Sequence, residues 1–409
     1  MTAPTPRPAR RRAVPAFLAA VAALSGACSE KLLTPVNCPE LCPGGQIVVY
    51  DTVLTPIAGE DSTFTGYVAA NQSTGFLVSN NLPAADARGF VRFLRRSDTV
   101  FVTDTARTYT IDSVKISLTI DSRDSLQDGI FLLLYKLPPT IDSTATFSEL
   151  TAAFTPEAFL DTVEVPDTLL NGRVSALLSG ETLARVALVP ADSGVLRLGV
   201  ALTAPAATGV RILTVRAGTG APTFQTYVHA AVADTSLQQQ TITRVPSYNT
   251  YVTAAPFPQP TPTTLVVGGA PSARALMRFP WPSVLKDTAE IIRATLELVP
   301  VTPIEGLPNV SSSIVVQGIL VDLGAKSPLV PDVTGTTTFT VPTSLPQPVE
   351  VLKIVKLWQG STARPPALFA MLTPEASSFS VPIFGSSGNP AYQPRLRIEY
   401  VRPYQFALP

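Results

Sequence analysis

Residues 77–93 read LVSNNLPAADARGFVRF, and residues 265–279 read LVVGGAPSARALMRF. Each stretch opens on Leu-Val and passes through a turn-rich Gly/Asn/Pro/Ala segment. Each closes on an Arg, three uncharged residues and Arg-Phe. Arg88, Arg92 and Phe93 match Arg274, Arg278 and Phe279 at one offset, 186 residues. A recurrence on that scale marks a duplicated structural unit.

Further matches keep the same order. Thr65-Gly66-Tyr67-Val68 pairs with Asn249-Thr250-Tyr251-Val252. SVKISLTI (113–120) pairs with RATLELVP (293–300), and LRLGVALT (196–203) with PALFAMLT (366–373). Residues 223–228 pair with 395–400 at an offset of 172. That drift is what loop insertions and deletions produce. Within the matched segments Val114, Ile116, Leu118 and Ile120 alternate with polar residues, as do Leu396, Ile398 and Tyr400. Period-two alternation puts one apolar face on a half-buried strand.

The chain has 409 residues, 45% hydrophobic and 15% charged, with a net charge of zero. That length suits two domains. The neutral balance argues against nucleic acid, which needs a basic footprint. Forty prolines belong in turns and at strand edges. Many short strands joined by turns read as all-β, with two tandem antiparallel β-sandwich, jelly-roll-like modules. The expected modules span residues 47–232 and 245–402, with a linker at 233–244 and a tail at 403–409. Short helical insertions are expected within 147–159 and 349–358. In the latter Val351, Leu352, Val355 and Trp358 fall at helical spacing.

Residues 1–27 read as an export signal. Arg7, Arg10, Arg11 and Arg12 precede an apolar segment too short to span a bilayer. Leu24-Ser25-Gly26-Ala27-Cys28 resembles a bacterial lipobox, which would make Cys28 the lipidated first residue of the mature chain. An ordinary secretory signal cleaved near Ala27 is the alternative. Ser29 after the Cys resembles the sorting pattern of outer-membrane lipoproteins, on the periplasmic or the cell-surface face. Residues 28–46 would then be the anchor and tether. Cys38 and Cys42 form an even pair in an oxidising compartment, where a disulfide is expected.

The order of elements resembles the bacterial DNRLRE-type module, or family 96 carbohydrate-binding module. The second unit carries the likeness in Tyr251-Val252, Leu265-Val266-Val267-Gly268, Met277-Arg278-Phe279, residues 294–298, 349–358 and 394–400. The first unit is a more diverged copy, without the Trp and with Asn80 in place of a Gly. The resemblance implies a β-sandwich that is often attached to polysaccharide-active or cell-surface proteins. Some members bind acidic polysaccharides such as alginate.

Arg88 and Arg92, and likewise Arg274 and Arg278, share one strand face by alternation. Paired guanidiniums suit the carboxylates of an acidic sugar, so these four are the candidate ligand-binding residues. The alternative is a solvated face with cross-strand acidic partners. Trp281 and Trp358 are the only tryptophans and read as core by their spacing. The oxygen-rich segment 121–129 matches no EF-hand loop and contains Arg123. A polar hairpin accounts for it better than a structural calcium, and no cofactor is expected. A single His, His229, and the lack of HExxH, GxSxG and P-loop motifs argue against an enzyme, and a glycosidase, which needs only two carboxylates, is the weaker third alternative. The expected function is an exported, lipid-anchored, non-catalytic binder of extracellular polysaccharide or cell-wall glycan. The alternative is a structural or adhesion lipoprotein with protein partners.

Overall fold

The computed structural model describes residues 48–82, 85–188, 192–233, 236–254, 259–270, 272–360 and 364–402. The expected signal peptide at 1–27, the expected anchor and tether at 28–46 with Cys28, Cys38 and Cys42, and the expected 403–409 tail lie outside the described residues.

The chain is all-β, and its strand pairs are antiparallel. A six-stranded sheet contains Ser236–Arg244, Thr223–Ala233, Tyr109–Arg123, Thr208–Leu213 and Gly75–Asn80 in that order, with Gly172–Ser179 also on Tyr109–Arg123. A five-stranded sheet runs Pro246–Thr253, Ala87–Phe93, Arg197–Thr203, Ile130–Lys136 and Phe159–Val165. Between them lies one core, built on Phe76, Phe93, Ile116, Leu132, Leu198 and Phe224. This is the first sandwich.

Two further sheets, of four and five strands, form a second sandwich. One sheet runs Val49–Leu54, Arg395–Val401, Glu290–Leu298 and Gln347–Glu350. The other runs Ser62–Thr65, Ala273–Arg278, Ala367–Thr373, Ser311–Ile319 and Leu329–Thr340. Their core includes Met277, Phe279, Leu296, Leu368, Leu396 and Trp358.

The pairing overturns the expected boundaries. Ser236–Arg244 is no linker; it pairs with Thr223–Ala233, Phe224 opposite Arg244. The next strand, Pro246–Thr253, pairs with Ala87–Phe93, which places the start of the second repeat in the first sandwich. Reciprocally, Val49–Leu54 pairs with Arg395–Val401 and Ser62–Thr65 with Ala273–Arg278. Each repeat donates its first two strands to the other's sandwich. All four donated strands are outermost in their sheets, so each pairs on one side only. The physical reason is that edge positions accept any strand of suitable register, near or far in sequence.

The structural register also corrects one match. Phe64 lies opposite Arg274 and Val252 opposite Arg88, so the equivalent residues are 188 apart. The sequence match of 65–68 with 249–252 is four residues out of step with this. The other matches agree with the pairing: Phe224 sits on Ile116 as Leu396 sits on Leu296, and Arg197 sits on Arg92 as Ala367 sits on Arg278.

Helix α1 (Phe147–Ala152) starts with a capping box in which Thr146 and Glu149 hold each other's backbone amides. Helix α2 (Ser283–Asp287) is a single turn. Helix α3 (Leu352–Gln359) begins three residues later than expected, because Gln347–Glu350 pairs with Glu290–Leu298 as a strand. α3 buries Ile354, Val355 and Trp358 in the second core.

The two repeats cover their arginine sheets differently. Gly199 leaves a gap into which the Phe154 ring fits, and a Cβ there would stand 2.3 Å from that ring. The corresponding residue of the second sandwich is Phe369, which fills the space itself beneath Phe64 and Tyr67. Ala367–Thr373 is therefore buried on both faces, which is why it reads as a continuous apolar run.

The halves also interlock through residues 374–380. Phe379 enters the first core against Gly209, where a Cβ would meet its ring at 2.6 Å. The Tyr251 hydroxyl donates to the Ala376 carbonyl at 2.7 Å.

Leu54 is buried in the core that holds both tryptophans. Truncating it as Leu54→Ala should cost about 2–4 kcal/mol. The loss should appear as a lower urea midpoint in tryptophan fluorescence. Independent modules, with residue 54 in the first, would leave that signal unchanged.

Candidate functional site

Alternation does place each arginine pair on the outer face of its sheet, and there the four side chains have different fates. Arg274 holds Glu375 bidentately, Nε–Oε1 2.8 Å and Nη2–Oε2 2.7 Å, with its guanidinium 4.2 Å over the Tyr67 ring. Arg278 holds Asp322 with Nε and Nη2, the latter at 2.8 Å, and reaches the Glu60 carbonyl with Nη1. Arg88 donates to Asp86 Oδ1 and to the Ser79 carbonyl, each at 2.7 Å, and lies 5.1 Å over Phe147 of α1. Three of the four candidates are thus neutralised by carboxylates of the same chain. Bidentate pairs of this kind fix geometry and leave the guanidinium few free donors.

Arg92 is different. Its Nε donates to Ser247 Oγ at 3.3 Å, and its guanidinium stands 5.6 Å from the Tyr248 ring. Directly opposite it on the neighbouring strand is Arg197. Among the described residues, neither arginine has a carboxylate within ion-pairing distance, and Arg197 Nη1 has no acceptor. Tyr248 rests on Phe90 at 5.9 Å and flanks the pair on the donated strand. The nearby exposed Asp142 is held below the usual carboxylate range. The Thr144 amide and hydroxyl are the main cause, and the positive field of Arg92 and Arg197 adds to it. Arg92, Arg197 and Tyr248 therefore make a cationic, aromatic-flanked patch. Arg197 escapes a sequence reading because its counterpart in the other repeat is Ala367, so no repeated pattern marks it.

The other candidates have structural roles. Trp281 and Trp358 meet edge to face, 5.2 Å apart at 84°, and both serve the second core. Segment 121–129 is not a hairpin. It carries the chain from Tyr109–Arg123 in one sheet to Ile130–Lys136 in the other. Arg123 is buried at its centre, donating to the carbonyls of Asp124 and Pro166 at 3.0 Å and to that of Gln127. A cation there would compete for carbonyls that the guanidinium already engages. A recess of about 210 Å³ on the second sandwich is lined by Arg293, Thr295, Glu297, Arg397 and Glu399. Its charges cancel across strands, Arg293 opposite Glu399 and Arg397 on Asp51.

No family model matches the chain, and no curated protein matches it. Among solved structures it was compared with the D431N mutant VP2 protein of infectious bursal disease virus in derived T=1 particles. Identity is 11% over 88% of this chain and 75% of that one, with a TM-score of 0.13. A likeness that low carries no argument about fold or function.

Arg278's hydrogen bonds, and then the Gly324 amide, hold the Asp322 carboxyl below its ordinary value. A carboxyl depressed in the folded state adds stability above its unfolded pKa of about 3.9, and loses it as pH falls through the lower folded value. Asp322→Asn should therefore lower Tm at about pH 6, and the deficit against wild type should shrink towards about pH 3. Thermal unfolding of both proteins across that range checks the sign.

Proposed function

We propose that the protein is an exported, lipid-anchored, non-catalytic binder of an acidic polysaccharide or cell-wall glycan, and that the first sandwich makes the contact. The observation that carries this reading is Arg92 opposite Arg197, unneutralised and beside Tyr248. A planar guanidinium suits a sugar carboxylate, and a tyrosine ring offers an apolar surface to a pyranose. Arg88, Arg274 and Arg278 fit a scaffold role better than ligand contact, since their donors already serve Asp86, Glu375 and Asp322. The family resemblance in the second repeat supports the same class of ligand.

A second reading is a structural or adhesion lipoprotein with protein partners. It is favoured by the twelve-residue strand Leu329–Thr340, which is the outermost strand of its sheet and offers a long edge for pairing.

Affinity electrophoresis of residues 29–409 through gels containing alginate or polygalacturonate separates the two readings. Retardation that weakens with salt is expected. Arg92→Ala with Arg197→Ala should weaken it at least about tenfold, in line with loss of a charge-assisted contact. Arg274→Ala should leave it nearly unchanged. Migration unaffected by every acidic glycan would refute the binding role and favour the adhesion reading.

A further inference from the structure

Arg244 is the last residue of the donated strand Ser236–Arg244 and lies opposite Phe224. In the second sandwich the last residue of the donated strand is Leu54, opposite Leu396. The two places are equivalent in detail. Leu54-Thr55-Pro56 corresponds to Arg244-Val245-Pro246, and both strands end in the same run: exposed, half-buried, exposed, buried. Leu54 is 7% exposed and Arg244 6%. The fold thus accepts an aliphatic side chain at this position, yet the first sandwich buries a guanidinium there.

Among the described residues that guanidinium has no carboxylate within ion-pairing distance. It stands 5.3 Å over the Phe224 ring, and among the described residues neither Nη1 nor Nη2 has an acceptor. The neighbouring segment brings a second cation. The Leu94 amide donates to the Val245 carbonyl at 3.1 Å, which sets residues 94–96 beside Arg244. Arg96 Nε is also buried, and it has no acceptor among the described residues. Burial, with Arg96 adding to it, pushes Arg244 down to about 10. Like charges repel, and burying even one unpaired ion is costly. Retaining Arg where the other repeat has Leu calls for a compensating anion.

We propose that Arg244 and Arg96 form a binding site for a single oxyanion group, a carboxylate, sulfate or phosphate. Arg244 supplies the planar fork for two parallel N–H···O bonds, and its stacking on Phe224 holds that fork in place. Arg96, the more exposed of the two, contributes the second charge. The site lies where the donated strand leaves the six-stranded sheet for the five-stranded one, so an anion there would also fix that crossover. It does not depend on the Arg92–Arg197 patch, which is on the outer sheet face.

Thermal unfolding of the full chain tests this in sodium sulfate, sodium phosphate and sodium galacturonate, each against sodium chloride at matched ionic strength. Sulfate and phosphate stabilise most proteins by exclusion from the surface, so the quantity read is the difference between variants. Wild type should gain several degrees more in Tm than Arg244→Leu with at least one of the three anions. Leu is the residue the other sandwich uses, so this variant is built to fold. Arg96→Gln, at a half-buried position, should lose most of the same increment. The anion giving the largest difference identifies the source: galacturonate for a sugar acid, sulfate or phosphate for an inorganic or ester group. Equal increments in wild type and both variants for all three anions would overturn the proposal.

Discussion

The structure depends on the pairing of strands that lie far apart in the chain. Leu54 on Leu396 and Phe64 on Arg274 close the second sandwich with residues from the beginning of the chain. Phe224 on Arg244 and Arg88 on Val252 close the first with residues from the second repeat. Neither core is complete without strands from the other repeat. Loop closure over such spans costs entropy that grows only slowly with length, so the exchange is thermodynamically cheap once both sheets exist. It concentrates long-range contacts, the class that slows folding. Each donated strand takes an edge, and no sheet has to open to receive it.

The same exchange sets the chemistry of the arginine faces. Ser247 and Tyr248 reach Arg92 because Pro246–Thr253 pairs with Ala87–Phe93. Tyr67 reaches Arg274, and the Glu60 carbonyl Arg278, because Ser62–Thr65 pairs with Ala273–Arg278. Tyr251, on a donated strand, also ties the halves through the Ala376 carbonyl, and burial pushes its hydroxyl up. The two repeats have diverged by redistributing parts. One covers its sheet with Phe154 seated on Gly199, the other with Phe369 in the strand itself. One keeps Leu54 in its core, the other Arg244.

Much of the fold is legible in the sequence. Alternation in 113–120 and 395–400 places the buried residues correctly, and the repeat matches through Arg88, Leu196 and Phe224 agree with the observed register. The helical spacing from Val351 to Trp358 finds α3. Two readings fail for physical reasons. Residues 236–244 look like a linker because an edge strand exposed on one side can be polar, as Gln238, Gln239 and Gln240 are. Segment 121–129 looks like a hairpin because turn composition marks a reversal but not the sheet that receives the next strand.

Sequence by itself determined the all-β class, the strands with their buried faces, and which residues carry charge. These follow from periodicity, which is local. Tertiary structure alone decided which strands meet and therefore which charges are neutralised. Arg278 and Arg92 occupy equivalent places in the two repeats, yet one meets Asp322 and the other faces Arg197; Arg274, beside Arg278, likewise meets Glu375. An ion pair forms between groups within about 4 Å, and residues 101 apart reach that distance only through the fold.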